Sequence, residues 1–188
     1  MRRSGISRPS ALNAAELLAI APIFLGSVTP STAIKRAGSL ALDGVTDPRN
    51  IGAIARSAAA FSADGLLIPE RRNASLTAAA WKSSAGAAAR LPIAQITNLA
   101  RSVEDAKAYG CFIVGLDGDA DTSVEEMEIA DQPLYLIVGS EGKGLSRLIR
   151  EKCDLLVSIP MSSAVESLNA SVDVSIALYA VDRKRAIS

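Results

Sequence analysis

The apolar run Leu134–Val138 stops in a loop that sets Gly139, Gly142 and Gly144 around one carboxylate, Glu141. A short uninterrupted apolar run fits a strand buried on both faces. Glycines beyond it let backbone N–H and C=O groups approach a ligand closely. Further on, Ile159-Pro160-Met161 precedes a polar cluster, Ser167 and Asn169, that opens a long helical pattern. Two ligand-type loops at strand ends in one α/β chain imply a single site. A third group lies upstream. Asp47 is a plausible N-cap, Pro48 fits the first helical turn, and Asn50 sits where free N–H groups and the helix dipole favour an anion. Ile51, Ile54, Ala58 and Phe61 follow helical spacing toward a core, which turns Arg56 about 200° away from Ile54.

Familiar loop chemistries do not account for these residues. Gly139–Gly144 reads G-x-x-G-x-G, which is neither the dinucleotide fingerprint nor a P-loop. Asp117, Asp119, Asp121 and Glu128 occupy calcium-loop positions, but Thr122 stands where that loop needs glycine, and a strand pattern precedes it. These acids read as a surface loop. The chain has no histidine, which excludes His-dependent triads and most zinc sites. No metal is expected.

The elements that must position these residues alternate. Strand-like runs are Leu40–Leu42, Gly65–Ile68, Leu91–Ile96, Cys111–Leu116, Leu134–Val138 and Leu155–Ile159. Helical patterns fall over Pro48–Phe61, Leu76–Ser84, Leu99–Tyr109, Leu145–Lys152 and about Leu168–Arg183. This order predicts an α/β fold, a mostly parallel sheet with helices on both faces. At 188 residues and 49% apolar, the chain is one domain by length, burying roughly 70% of its unfolded surface. Residues 1–38 read as a leader or the remnant of an upstream region, and 39–188 as the functional domain. The run Leu17–Leu25 behind Arg2, Arg3 and Arg8 imitates an export signal, but Glu16 and Pro22 break the pattern and it is too short to span a bilayer. No membrane association is expected. Cys111 and Cys153 border apolar runs and read as reduced core thiols, which points to a cytoplasmic protein. Basic and acidic residues balance at 20 each, so any nucleic-acid binding must use a local patch.

Three segments together resemble the SpoU (TrmH-type) branch of the SPOUT RNA methyltransferases. They are Leu42–Gly52 with Arg56, Ile137–Gly144, and Ile159–Met161 with Glu166–Val172, in the family's order. The likeness spans about Leu40 to Arg183. Within the family, Ser84–Ala88 and Thr97–Arg101 resemble the bacterial 23S rRNA guanosine-2′-O-methyltransferases. The resemblance implies a C-terminal trefoil knot, which connection rules alone would not predict. It also implies S-adenosylmethionine as cofactor and a homodimer whose active site uses both chains. Carried over by position, Leu116, Gly139, Ile159 and Leu168 line the cofactor pocket, and Asn50, Arg56, Glu141, Ser167 and Asn169 match the catalytic and substrate-positioning residues.

The implied reaction is methyl transfer to a ribose 2′-hydroxyl of RNA, most simply a guanosine in 23S rRNA, with tRNA as the alternative. The family proposal makes the arginine at position 56 the base. A guanidinium is effectively always protonated, so Arg56 is expected instead to bind the phosphate beside the ribose and polarise the hydroxyl. The proton would then leave through Ser167, Asn169 or water. Aromatics are only 4%, so a stacking platform is not expected. Arg49, Arg71, Arg72, Lys82 and Arg90 are the candidates for RNA phosphate contacts. Two other classes compete: a non-catalytic RNA-binding protein, and a Rossmann-type nucleotide enzyme whose fingerprint is absent.

Overall fold

The computed structural model describes residues 38–128, 132–161 and 168–186. Its strands are β1 (Gly38–Asp43), β2 (Gly65–Pro69), β3 (Ile93–Ile96), β4 (Phe112–Leu116), β5 (Leu134–Gly139) and β6 (Leu155–Val157). The helices are α1 (Pro48–Ala60), α2 (Ala78–Ser83), α3 (Leu99–Ala108), α4 (Arg147–Lys152) and α5 (Ala170–Arg185), with a 3-10 turn at Ala87–Ala89. The strands form one six-stranded sheet in the order β3-β2-β1-β5-β4-β6. Every pairing between them is parallel.

The two faces follow the two-residue period of a strand. Leu40 and Leu42 of β1, Leu66 and Ile68 of β2, and Leu134, Leu136 and Val138 of β5 point to one core. There they meet Ile51, Ile54 and Ala58 of α1, Trp81 of α2, and Val174, Ala177, Leu178 and Val181 of α5. The alternate residues Ala41, Leu67, Tyr135 and Ile137 face the second core under Leu99, Val103 and Ala106 of α3 and Ile149 of α4. Ile51 and Ile54 are fully buried, which stabilises the fold by about 1.5–3 kcal/mol each.

Helix α1 starts as its sequence dictates. The Asp47 side chain accepts from the Arg49 N–H at 2.8 Å, and Pro48 occupies the first turn. Gly52 lets α1 close on α2, because a Cβ there would overlap the Ala80 carbonyl and the Ser83 hydroxyl. Several boundaries differ from the sequence reading. Strand β6 ends at Val157, because Ser158 turns its N–H to the Thr122 carbonyl and bridges Ser123. Helix α5 begins at Ala170, since Asn169 is extended and acts as its cap. The path through 162–167, on which the expected trefoil threading depends, lies outside the described residues, as do residues 1–37.

One buried polar pair ties the second core together. The hydroxyls of Tyr135 and Ser102 lie 2.7 Å apart, and both residues are buried. Replacing Tyr135 by phenylalanine should leave the Ser102 hydroxyl unpaired and lower unfolding stability by about 1–3 kcal/mol. Urea denaturation measures this, and an unchanged midpoint would contradict it.

Candidate functional site

The carboxyl ends of β4, β5 and β6 converge on one cleft of about 280 Å³. In open parallel sheets, ligands bind outside the carboxyl ends of the strands. The lining includes Leu116 at the end of β4, Gly139 at the end of β5, Ile159 just past β6, and Leu168 before α5. All the expected cofactor positions therefore border one space.

The glycine loop is folded back on its own strand. Ser140 donates its N–H to the Gly144 carbonyl at 3.1 Å, and Gly144 returns one to Ser140 at 2.9 Å. Gly142 and Gly144 adopt φ of 71° and 61°, which favours glycine. A Cβ on Gly139 would overlap the Gly144 carbonyl group, so this position admits no side chain without displacing the loop. Asp43, at the end of β1, holds the far side of the loop by accepting from the Ser146 N–H at 2.7 Å.

At the rim of the cleft, Glu141 Oε1 accepts from Asn50 Nδ2 at 2.8 Å and from the Ala170 N–H at 3.3 Å. Asn169 Nδ2 donates to Asn50 Oδ1 at 3.1 Å, while Asn169 Oδ1 accepts from the Ser171 N–H and hydroxyl. Three segments far apart in sequence thus meet in one hydrogen-bonded chain, Glu141–Asn50–Asn169. Ser167 lies outside the described residues.

Arg56 is placed elsewhere. On α1 it is six residues from Asn50, about 9 Å along the axis and 120° around it. It is exposed and lines a separate groove of about 520 Å³ with Arg90, Asp64 and the small residues Ala59, Ala60, Ala85 and Ala87. Arg49, Arg71, Arg72 and Lys82 are also exposed. Arg71 and Arg72 stand on the loop after β2, which Asn73 ties to the turn just after β1 by accepting from the N–H groups of Gly44 and Val45. The expected basic residues therefore divide between the β2 loop, α1, α2 and the Arg56–Arg90 groove.

Sequence reasoning missed other residues here. Asp117 lines the cleft and is held by the Asp119 N–H and by Arg150 Nη1 at 3.3 Å. Asp119, Asp121 and Glu128 are exposed as a surface loop requires, but Asp117 is buried, because it closes the end of β4 against Arg150 and so does not fit that reading. Among the described residues, no group of acids, histidines and cysteines is arranged to hold a metal. Asp173, in the first turn of α5, also lines the cleft. Burial, and next the charge of Glu141, raise its carboxyl above the ordinary value. Its signal in the sequence was position alone, one helical turn after Asn169. Cys111 and Cys153 are both free, and burial pushes Cys153 up to about 12, which leaves a poorly nucleophilic thiol. No helix among the described residues is long and apolar enough to cross a membrane.

A parallel sheet whose strand ends and glycine loop enclose one cleft is the architecture of a ligand-binding α/β enzyme. The SpoU rRNA methylase family matches over residues 38–179, and the chain belongs to this family. It is 56% identical over 146 residues to an uncharacterized tRNA/rRNA methyltransferase of Mycobacterium leprae, covering 78% of this chain and 47% of the relative. The chain thus spans about half the length of the curated relatives it matches. Among solved structures it resembles the SpoU methyltransferase AviRb of Streptomyces viridochromogenes in complex with AdoMet. The TM-score is 0.74 and the identity 34%, over 80% of this chain and 61% of that one. It also resembles a TrmH/SpoU tRNA modifying enzyme of A. aeolicus, with TM-score 0.71 and 26% identity, over 82% and 80% of the two chains.

Proposed function

We propose that this chain transfers a methyl group from S-adenosylmethionine to a ribose 2′-hydroxyl of RNA. The observation that carries the proposal is the cleft itself: Leu116, Gly139, Ile159 and Leu168 border it, and the Glu141–Asn50–Asn169 chain stands at its rim. The AdoMet complex of AviRb supports the cofactor. A structural relative described as an RNA 2′-O ribose methyltransferase, 26% identical with TM-score 0.73, supports the acceptor.

When bound, the cofactor supplies an electrophilic methyl group, and the protein's work is alignment. The folded-back glycine loop offers backbone N–H and C=O groups at the end of β5. Leu116, Ile159 and Leu168 supply apolar walls that exclude water. Holding the reacting atoms in line contributes several kcal/mol to such a displacement. Glu141, oriented by Asn50 and by the Ala170 N–H, fixes the amide of Asn50, whose carbonyl in turn receives Asn169. Ser167 and Asn169 are placed in the sequence to meet the acceptor ribose.

Arg56 binds the phosphate next to that ribose in this reading. Because it lines a different groove from the cleft, the site is completed by a second copy of the chain. Helix α5 offers a surface for such a dimer: Val172 and Tyr179 remain 43% and 54% exposed, and Tyr179 packs edge-on against Phe61 at 5.8 Å. Arg49, Arg71, Arg72, Lys82 and Arg90 provide sequence-blind phosphate contacts. The RNA is a guanosine site in 23S rRNA, by the likeness at Ser84–Ala88 and Thr97–Arg101. The A. aeolicus relative, described as a tRNA modifying enzyme, makes tRNA the second reading. The protein acts in the cytoplasm.

Ribose-methylation mapping of total RNA from cells with and without the full-length gene tests the proposal. Loss of one 2′-O-methyl in 23S rRNA is expected. Loss of a tRNA methyl alone would move the substrate, and loss of a base methyl alone would contradict ribose chemistry.

A further inference from the structure

The reaction needs a proton acceptor, and the chain contains no histidine to serve as one. The carboxylates lining the cleft are Asp117, Asp119, Glu141 and Asp173. Asp117 is engaged by Arg150 and the Asp119 N–H. Glu141 is occupied in orienting Asn50 and capping α5 through the Ala170 N–H. Asp119 stands on the loop after β4 with its N–H turned to Asp117, and among the described residues no hydrogen bond joins it to Asn50 or Asn169. Asp173 differs from all of these. It follows Asn169 by one helical turn, and residues four apart share a helix face. That places it on the cleft side of α5, beside the asparagine expected to meet the ribose, and within electrostatic reach of Glu141. Among the described residues its carboxylate receives no hydrogen bond and makes no ion pair.

We infer that Asp173 is the proton acceptor for the ribose 2′-hydroxyl, an inference that rests on the function proposed above. As the O–C bond forms and the C–S bond breaks, the sulfonium becomes a neutral thioether. The hydroxyl proton passes to a carboxylate oxygen of Asp173, and then to water. One positive and one negative charge disappear together, so the step needs no further reactant. The charged and titratable groups that share the cleft are Glu141 and Lys143 of the glycine loop, Asp117 and Asp119 after β4, and Arg150 of α4. Burial and the Glu141 charge raise the Asp173 carboxyl, bringing it nearer the working pH, where a general base is most effective. The carboxylate is the active form. Activity therefore rises with pH as Asp173 deprotonates, and this acid limb lies above the ordinary aspartate range.

The test compares Asp173→Asn and Asp173→Glu with the wild-type chain, using S-adenosylmethionine and an unmodified 23S rRNA transcript, with unmodified tRNA in a parallel arm. Asp173→Asn should lower kcat by about 100-fold or more, the usual scale of general-base loss, and abolish the acid limb of the pH profile. Because Asp173 also lines the cofactor cleft, calorimetric affinity for S-adenosylmethionine is measured alongside and should fall by far less than kcat. Asp173→Glu should restore part of the rate and the limb. Carboxyl NMR of the free protein supplies a readout without turnover: one carboxyl titrating above the ordinary aspartate range should vanish in Asp173→Asn. An Asp173→Asn chain that binds cofactor and keeps both its rate and its acid limb would overturn the inference while leaving the proposed function intact. A wild-type chain that binds no S-adenosylmethionine would overturn the proposed function, and this inference with it.

Discussion

Replacing Gly139 by alanine should sharply weaken cofactor binding at the carboxyl edge of the sheet. The added Cβ would overlap the Gly144 carbonyl group, which is backbone and cannot swing aside as a side-chain tip would. The loop would have to lift off β5, breaking the reciprocal Ser140–Gly144 hydrogen bonds and pulling against the Asp43–Ser146 contact. Overpacking of this kind costs about 1–3 kcal/mol in stability. Because the displaced loop forms one wall of the cleft, affinity for S-adenosylmethionine should fall by about 100-fold, equivalent to roughly 2.7 kcal/mol. Gly86 is the matching control. It has φ of +83°, but a Cβ there would meet nothing within 4 Å. Gly86→Ala should therefore strain the backbone by about 1 kcal/mol and leave cofactor affinity alone. Calorimetric titration and thermal unfolding of both variants check this. A Gly139→Ala protein with wild-type affinity would refute the assigned wall.

Arg56→Ala and Asn50→Ala should each lower methyl transfer by about 100- to 1,000-fold, the range seen when a positioned charge or donor is removed from a transition state. Cofactor affinity should stay close to the wild-type value, because neither side chain lines the cleft. The two variants also test whether the site spans two copies. In a random mixture of the two variant chains, half the dimers are hybrids, and each hybrid has one site with both residues intact if they act across the interface. About a quarter of wild-type activity should then return, as the symmetry of a two-fold dimer requires. If both residues serve one chain's site, no mixture recovers activity. That result, or a light-scattering mass of a monomer at micromolar concentration, would contradict the dimeric site.

Much of this arrangement is legible in the sequence. The apolar run Leu134–Val138 ends at Gly139 as a buried parallel strand should, and alternating residues of β1, β2 and β5 divide between the two cores by simple parity. The Asp47-Pro48 start of α1 is visible because cap and first-turn residues carry their own local chemistry. Other features depend on distance relations that no local pattern encodes. Asn50 and Arg56 share a helix, yet six residues of helical rotation take Asn50 to the Glu141–Asn169 chain at the cleft rim and Arg56 into a separate groove. The helical pattern from about Leu168 takes in Asn169, but its extended backbone and side-chain bond to Ser171 make it the cap. The 3-10 turn at Ala87–Ala89 sits in an alanine-rich stretch with no contrast between faces, so periodicity has nothing to detect. Asp173 looks like an ordinary first-turn acid, a position favoured by the helix dipole, and only the cleft it shares with the glycine loop makes it a member of the site.

We propose that the cleft bounded by Leu116, Gly139, Ile159 and Leu168 holds S-adenosylmethionine. Isothermal titration of the intact chain with that cofactor tests it without requiring RNA or any further domain. Saturable heat with one site per chain is expected, with affinity about 100-fold weaker in Gly139→Ala and unchanged in Arg56→Ala. No detectable heat at millimolar cofactor with a folded protein would contradict it.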